Sequence, residues 1–169
     1  MTIKMAALDI GTKAPDFSLT DMNGKRHTLA SFPSSYIVLY FYPKDNTAGC
    51  TLEARDFSTH AENFRSHGIS IVGVSGGDDA SKKDFCERSH LTITLLSDTD
   101  FSVSKKYGVY GEHSFLGKKF LGISRTTFVL DANKKIVLRY DNVNPQGHAS
   151  VIFTDIAKLR TAQAGVRSR

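Results

Sequence analysis

The succession of hydrophobic patterns along the chain predicts an α/β fold, a central mixed β-sheet flanked by helices with an N-terminal β-hairpin extension. Three observations carry this. An apolar run at 36–42, a helical stretch and a second apolar run at 69–75 follow one another as strand, helix and strand, a βαβ unit whose strands are parallel. Two later strands, 126–130 and 136–140, alternate around Asp131-Ala-Asn-Lys and so form an antiparallel hairpin. A last helix, at 148–163, sets Ile152, Ile156 and Leu159 on one face.

Taken in order, residues 1–13 read as a loosely held lead-in, and 16–20 and 26–30 flank a hairpin turn at 21–24. The strand at 36–42 is apolar or aromatic throughout, as a buried central strand is, and Pro43 ends it. The loop 44–49 carries Asp45, Asn46, Thr47 and Gly49, which favour turns and helix caps. Ala54, Phe57, Ala61 and Phe64 then recur at helical spacing up to about Gly68. After the strand at 69–75, Gly76 and Gly77 turn the chain into a helix at 79–89 that carries Cys86. A short strand is expected at 94–96, a short helix at 101–107 stopping at Gly108, and a Gly-rich, Lys-bearing loop at 110–122. The tail 164–169 is expected to fray. No repeat or linker divides the chain, so 1–169 reads as one domain, and its element order is the thioredoxin-like arrangement.

Composition narrows the function. With 169 residues, 40% hydrophobic and 23% charged, the chain is of ordinary size and make-up for a soluble domain with a full core. The net charge of +5 comes from scattered pairs, Lys82-Lys83, Lys105-Lys106, Lys118-Lys119 and Lys134-Lys135, which read as solvated surface and not as a nucleic-acid stripe. No run is long enough to span a bilayer, and the first thirty residues lack the pattern of a secretory signal, so the expected address is the cytoplasm, without a membrane partner. There, two cysteines are more often catalytic, metal-binding or buried than structurally bridged.

Cys50 lies in or just before the first turn of its helix. The unpaired N–H groups and positive dipole end found there favour an anion, so its pKa, about 8.5 in a free cysteine, is expected to fall. A free cysteine is commonly just a small buried apolar residue, and this position argues against that reading. Thr47 reads as a helix cap, Glu53 as a dipole-favoured acid, and Arg125 as a residue leading a strand. Other signals fail. Cys86 and His90 share a helix face but lack the partners of a zinc site, and Gly111 to Lys118 has the wrong spacing for a phosphate loop, so no metal, nucleotide or other cofactor is expected.

The spacing Pro43-x3-Thr47-x2-Cys50-x2-Glu53 resembles the peroxidatic signature of peroxiredoxins. The stretches FYPKDNTAGCTLEA (41–54), LLSD and KYGV (within 95–109), FLGKKFLGISRTTFVLD (115–131) and NPQGHASVI (144–152) resemble the Q-type branch, the bacterioferritin comigratory proteins. That resemblance implies a thiol-dependent peroxidase acting on hydrogen peroxide and organic hydroperoxides. It assigns Cys50 as the peroxidatic cysteine, Thr47 to binding and orienting the peroxide, and Pro43 to shielding the thiolate pocket, which Gly49 also helps to shape. It also implies that Arg125 holds the thiolate and the polarised peroxide and that Glu53 positions that arginine. Ala48 departs from the proline usual in the branch, which puts loop rigidity in doubt.

Many Q-type enzymes place a resolving cysteine five residues after the peroxidatic one, where this chain has Arg55. A variant of the branch places it on the following helix, and Cys86 matches that pattern. The resemblance therefore implies an intramolecular Cys50–Cys86 disulfide, recycled by a thioredoxin-like or glutaredoxin-like donor, in a monomer. Such a bond needs Cα atoms within about 7 Å, so helices holding them farther apart must locally unwind. Three other readings stand beside this one: a one-cysteine cycle with an external thiol, a thiol–disulfide oxidoreductase, and a non-catalytic binding module. The second lacks the Cys-x-x-Cys pair it needs.

Overall fold

The structure, a computed structural model, describes residues 6–167. Its strands are β1 (Leu19–Thr20), β2 (Arg26–His27), β3 (Tyr36–Phe41), β4 (Ile69–Ser75), β5 (Thr94–Ser97), β6 (Tyr110–Phe115), β7 (Lys118–Ile123), β8 (Thr126–Leu130) and β9 (Ile136–Tyr140). Its α-helices are α1 (Ala48–Ser66), α2 (Asp79–Ser89), α3 (Ser102–Lys106) and α4 (His148–Arg167), and one 3-10 turn spans Leu29–Ser31. Seven strands form one mixed sheet in the order β2-β1-β5-β4-β3-β8-β9. Pairing is parallel for β3 with β4 and β4 with β5, and antiparallel for β3 with β8 and β8 with β9. This is the mixed, thioredoxin-like sheet that the element order predicts, and β3 lies inside it with a partner on each side.

Strand alternation divides the core in two. Tyr36, Val38, Tyr40 and Tyr42 share one cluster with Ala54, Phe57 and Phe64 of α1, Phe85 and Cys86 of α2, and Ile152 and Ile156 of α4. Ile37, Leu39 and Phe41 point the other way, to Val72, Val74, Val103, Tyr107, Phe128 and Leu130. Phe57 is fully buried, with its ring 4.6 Å from Tyr40 and 5.7 Å from His148. Phe57→Ala is expected to lose about 3–5 kcal/mol of stability, the cost of an unfilled aromatic cavity, measured as a lower midpoint in urea unfolding.

Several sequence expectations change. The stretch 110–122 is not a loop: β6 and β7 pair from Tyr110 with Ile123 to Phe115 with Lys118. Their turn is Leu116-Gly117, with φ of 50° and 77°, the positive values a two-residue hairpin needs. A leucine at the first position hides the turn, because that conformation normally selects Asn, Asp or Gly. Residues 7–13 of the lead-in are hydrogen-bonded to the body of the domain. Leu8 N donates to the Tyr107 carbonyl, Gly11 N to the Ile136 carbonyl, Arg139 to the carbonyls of Ala7 and Leu8, and Lys13 bridges to Lys135. Residues 1–5 lie outside the described residues. Of the tail expected to fray, residues 164–167 continue α4, and 168–169 also lie outside. The N-terminal hairpin forms, though each strand is only two residues long, and the 3-10 turn takes up the rest of 26–30.

Candidate active site

The chain leaves the C-terminal end of β3 at Tyr42, Pro43 stops further strand pairing, and five residues later α1 begins. Thr47 is the N-cap residue, with extended φ and ψ, so Cys50 is the third residue of the helix. First-turn N–H groups have no partners within a helix, and the positive end of the dipole sits with them. Cys50 is buried, with 1% of its surface exposed.

The decisive contact comes from far along the chain. Arg125, immediately before β8, donates through Nη2 to Cys50 Sγ at 3.5 Å and through Nη1 to Glu53 Oε1 at 2.8 Å. One planar guanidinium thus spans a sulfur and a carboxylate three residues apart on one face of the first helical turns, a fork that lysine lacks. The Val143 N–H donates to the Arg125 carbonyl and fixes the arginine's backbone. Gly49 explains how the side chain gets there: a Cβ at this position would stand 3.1 Å from Arg125 Nη2. With glycine there, the guanidinium packs against the helix start without that tight contact.

Glu53 is fully buried and its Oε2 has no hydrogen-bond partner. Burial pushes its carboxyl up to about 7, against the pull of Arg125 and with a further push from Asp56. For Arg125, burial works against the charge, but Cys50 and Glu53 outweigh it and hold the guanidinium above its ordinary value. The arginine's charge is secure, and the glutamate is the member of the pair that titrates near neutrality.

Thr47 behaves differently from a capping residue. Its side chain makes no cap hydrogen bond; the hydroxyl donates to the Lys44 carbonyl at 3.0 Å and keeps its lone pairs available as acceptors. Pro43 and Arg125 both line an open groove of about 580 Å³, together with Phe120, Ile123 and Val143. The β6–β7 hairpin supplies much of that wall, so the segment expected to be a loop is a structured side of the groove beside Arg125.

Cys86 sits in α2, buried in the same core cluster as Cys50, and both cysteines are free thiols. Burial pushes its thiol up to about 11; the charge of Asp45 adds to this and that of Lys82 opposes it. His148 is also held neutral, at about 4, by burial, with Asp56 opposing and Arg125 assisting; its Nε2 shares a 2.8 Å hydrogen bond with Thr127 Oγ1.

The sequence reading overlooked Lys82. It belongs to one of the lysine pairs taken for solvated surface, yet its side chain is 0% exposed and is bonded to Asp45 at 3.0 Å. The available signal was its phase: Lys82, Phe85, Cys86 and Ser89 fall on one face of α2, and all four are buried. Among the described residues, no cluster of three or more His, Cys, Asp or Glu side chains is arranged to hold a metal, and no helix is long and apolar enough to cross a membrane.

The chain is similar to known proteins over most of its length. The profile of the AhpC/TSA family matches residues 10–139. A putative peroxiredoxin bcp of Helicobacter pylori strain J99 is 38% identical over 152 residues, covering 90% of this chain and all of the relative. Peroxiredoxin Bcp of Escherichia coli K12 is 36% identical over 149 residues, covering 88% of this chain and 96% of the relative. A solved structure of the Xanthomonas campestris bacterioferritin comigratory protein, described for its alkyl peroxide reduction activity, superposes with a TM-score of 0.82 at 32% identity, covering 90% of this chain and 96% of that one. The match of the profile, the relatives' near-complete coverage and the shared fold establish that the chain belongs to the AhpC/TSA family of peroxidases, among its Q-type, bacterioferritin comigratory peroxiredoxins.

Proposed function

We propose that the protein reduces hydrogen peroxide and organic hydroperoxides through Cys50, resolves the oxidised sulfur with Cys86, and is recycled by a dithiol donor of the thioredoxin or glutaredoxin type. One observation carries the first half: a single guanidinium reaches both Cys50 Sγ and Glu53 at the start of α1. A cation with a directed N–H beside the sulfur favours the thiolate, which is the nucleophile. The thiolate attacks one peroxide oxygen and the O–O bond breaks. The sulfur keeps that oxygen as a sulfenic acid, and the leaving hydroxide or alkoxide takes up a proton and departs as water or alcohol. Arg125 stabilises the charge as it moves from sulfur to oxygen. Thr47 presents an acceptor for the peroxide's proton, Glu53 orients the arginine, and Pro43 covers the approach.

In the second half, the Cys86 sulfur displaces hydroxide from the Cys50 sulfenic acid. A disulfide forms and water is released. The donor's two thiols then supply two electrons by exchange, so the cycle needs no metal or other cofactor. Two solved cysteine-to-serine mutants of Xanthomonas campestris peroxiredoxin Q alter positions separated as Cys50 and Cys86 are here, which supports this pairing. The enzyme is read as a cytoplasmic monomer.

Mass spectrometry after one equivalent of peroxide tests both halves. The expected product is a Cys50–Cys86 disulfide that the thioredoxin system reduces, while Cys86→Ser stops at a Cys50 sulfenic acid. A Cys86→Ser enzyme that turns over as fast as wild type with thioredoxin would replace this cycle with the one-cysteine alternative. An unoxidised Cys50 would remove both.

A further inference from the structure

The two cysteine-bearing segments are joined by a buried polar cluster that the peroxidase chemistry does not use. Asp45, in the loop leading to Cys50, accepts hydrogen bonds from Tyr42 Oη at 2.6 Å, Ser75 Oγ at 3.2 Å, Ser81 Oγ at 2.6 Å and Lys82 Nζ at 3.0 Å. Lys82 in turn donates to Asp45, to Ser75 Oγ at 2.7 Å and to the Gly77 carbonyl at 3.0 Å. An ammonium has three N–H groups, and all three are spent. The cluster leaves no slack, since a Cβ on Gly77 would lie 2.2 Å from Asp45 Oδ2. Beside it, Asn46 Nδ2 donates to Asp84 Oδ2 at 3.0 Å, a second link from the same loop to α2.

Lys82 stands one turn before Cys86 on the same face of α2. Cys86 is held as part of that helix: its carbonyl accepts from the N–H groups of both His90 and Leu91. Cys50 is likewise inside a helix and covered. A disulfide demands close Cα atoms and a particular dihedral, so two buried thiols held in separate helices bond only when those helices allow that geometry.

We infer that the Asp45–Lys82 cluster is a latch, pinning the first turn of α2 to the Cys50 loop and setting the rate at which Cys86 leaves the core to resolve Cys50. This rests on Cys86 being the resolving cysteine. The latch gives the sulfenic acid a lifetime: peroxide reduction proceeds with both helices intact, and resolution waits for α2 to come free. Its charges suit a fixed clamp. For Asp45, the pull of Lys82, Ser81 and Tyr42 outweighs burial and keeps the carboxyl below its ordinary range. Burial lowers Lys82, with the charge of Asp45 opposing.

The test separates the two chemical steps. Asp45→Asn with Lys82→Met removes both charges together, so neither is left buried alone. Reduced protein is mixed with hydrogen peroxide, quenched with an alkylating reagent at successive times, and analysed for Cys50 sulfenic acid and Cys50–Cys86 disulfide by mass spectrometry. Sulfenic acid formation is expected to stay within about twofold of wild type, while the disulfide forms about tenfold faster and α2 amides exchange hydrogen faster. Ser81→Ala, which keeps both charges and the fold, is expected to shift the disulfide rate in the same direction by about two- to threefold. Val103→Ala, a truncation in the core on the opposite sheet face, controls for general loss of stability and should leave the disulfide rate unchanged. Unchanged or slower disulfide formation in both cluster variants, or equal acceleration in Val103→Ala, overturns the latch alone. A wild-type protein that forms no Cys50–Cys86 disulfide removes the resolving role of Cys86, and the latch with it.

Discussion

Cys50→Ser is expected to lose peroxide consumption completely while keeping the fold. The substitution exchanges one heavy atom for another of similar size at a site with 1% exposure, so packing around α1 changes little. The chemistry changes entirely. A serine hydroxyl is not ionised at neutral pH, and its oxygen does not accept a second oxygen as sulfur does in forming a sulfenic acid. Cys86 is no substitute, because burial holds its thiol at about 11 and Arg125 donates to the other sulfur. Peroxide consumption measured with a thioredoxin reducing system should therefore fall to the rate without enzyme. Residual turnover above that of free cysteine would transfer the nucleophile's role elsewhere. The same comparison disposes of the non-catalytic alternative, which expects wild type and Cys50→Ser to be equally inert.

The sequence revealed most where a physical period was regular. β4, α2, β8 and β9 have the predicted bounds, because β-rich or alternating runs set off by turn residues, Gly68, Gly76-Gly77 and Asp131-Ala-Asn-Lys, leave little freedom. β6 and β7 escaped because more than half their residues are polar or glycine, and Leu116 occupies a turn position that leucine seldom takes. At the site, helix position alone pointed to Cys50 as a reactive thiol. No local pattern joins residues 75 apart in sequence, as Cys50 and Arg125 are, and resemblance supplied that link before the structure gave its distance. Lys82 shows the opposite failure. Counting charges placed it on the surface, whereas the network formed by Asp45, Ser75 and the Gly77 carbonyl makes a buried ammonium tolerable.

Arg125→Lys is expected to slow the reaction of Cys50 with peroxide by about 10²–10³-fold, the range found when one preorganised donor to a developing charge is removed. The guanidinium serves Cys50 and Glu53 at once through two separate nitrogens, and a single ammonium on a flexible stem cannot hold both directions. Rapid-mixing measurement of the rate constant isolates this step from recycling, and a value within about threefold of wild type would deny Arg125 its role. The pair also fixes a pH dependence. Burial raises the Glu53 carboxyl from 4.5 to about 7, so between those values the folded state binds a proton that the unfolded chain has lost. Its contribution to stability is complete below about pH 4.5 and falls away as pH rises through 7. Oε2, buried without a donor, is the reason that charge is poorly accommodated there. Glu53→Gln should abolish this component of the decline, measured by urea unfolding between about pH 5 and 8. Arg125→Lys should steepen it, since a less well-placed cation leaves the carboxylate more exposed to the cost of burial. An identical pH profile in all three proteins would mean that Glu53 does not titrate against Arg125.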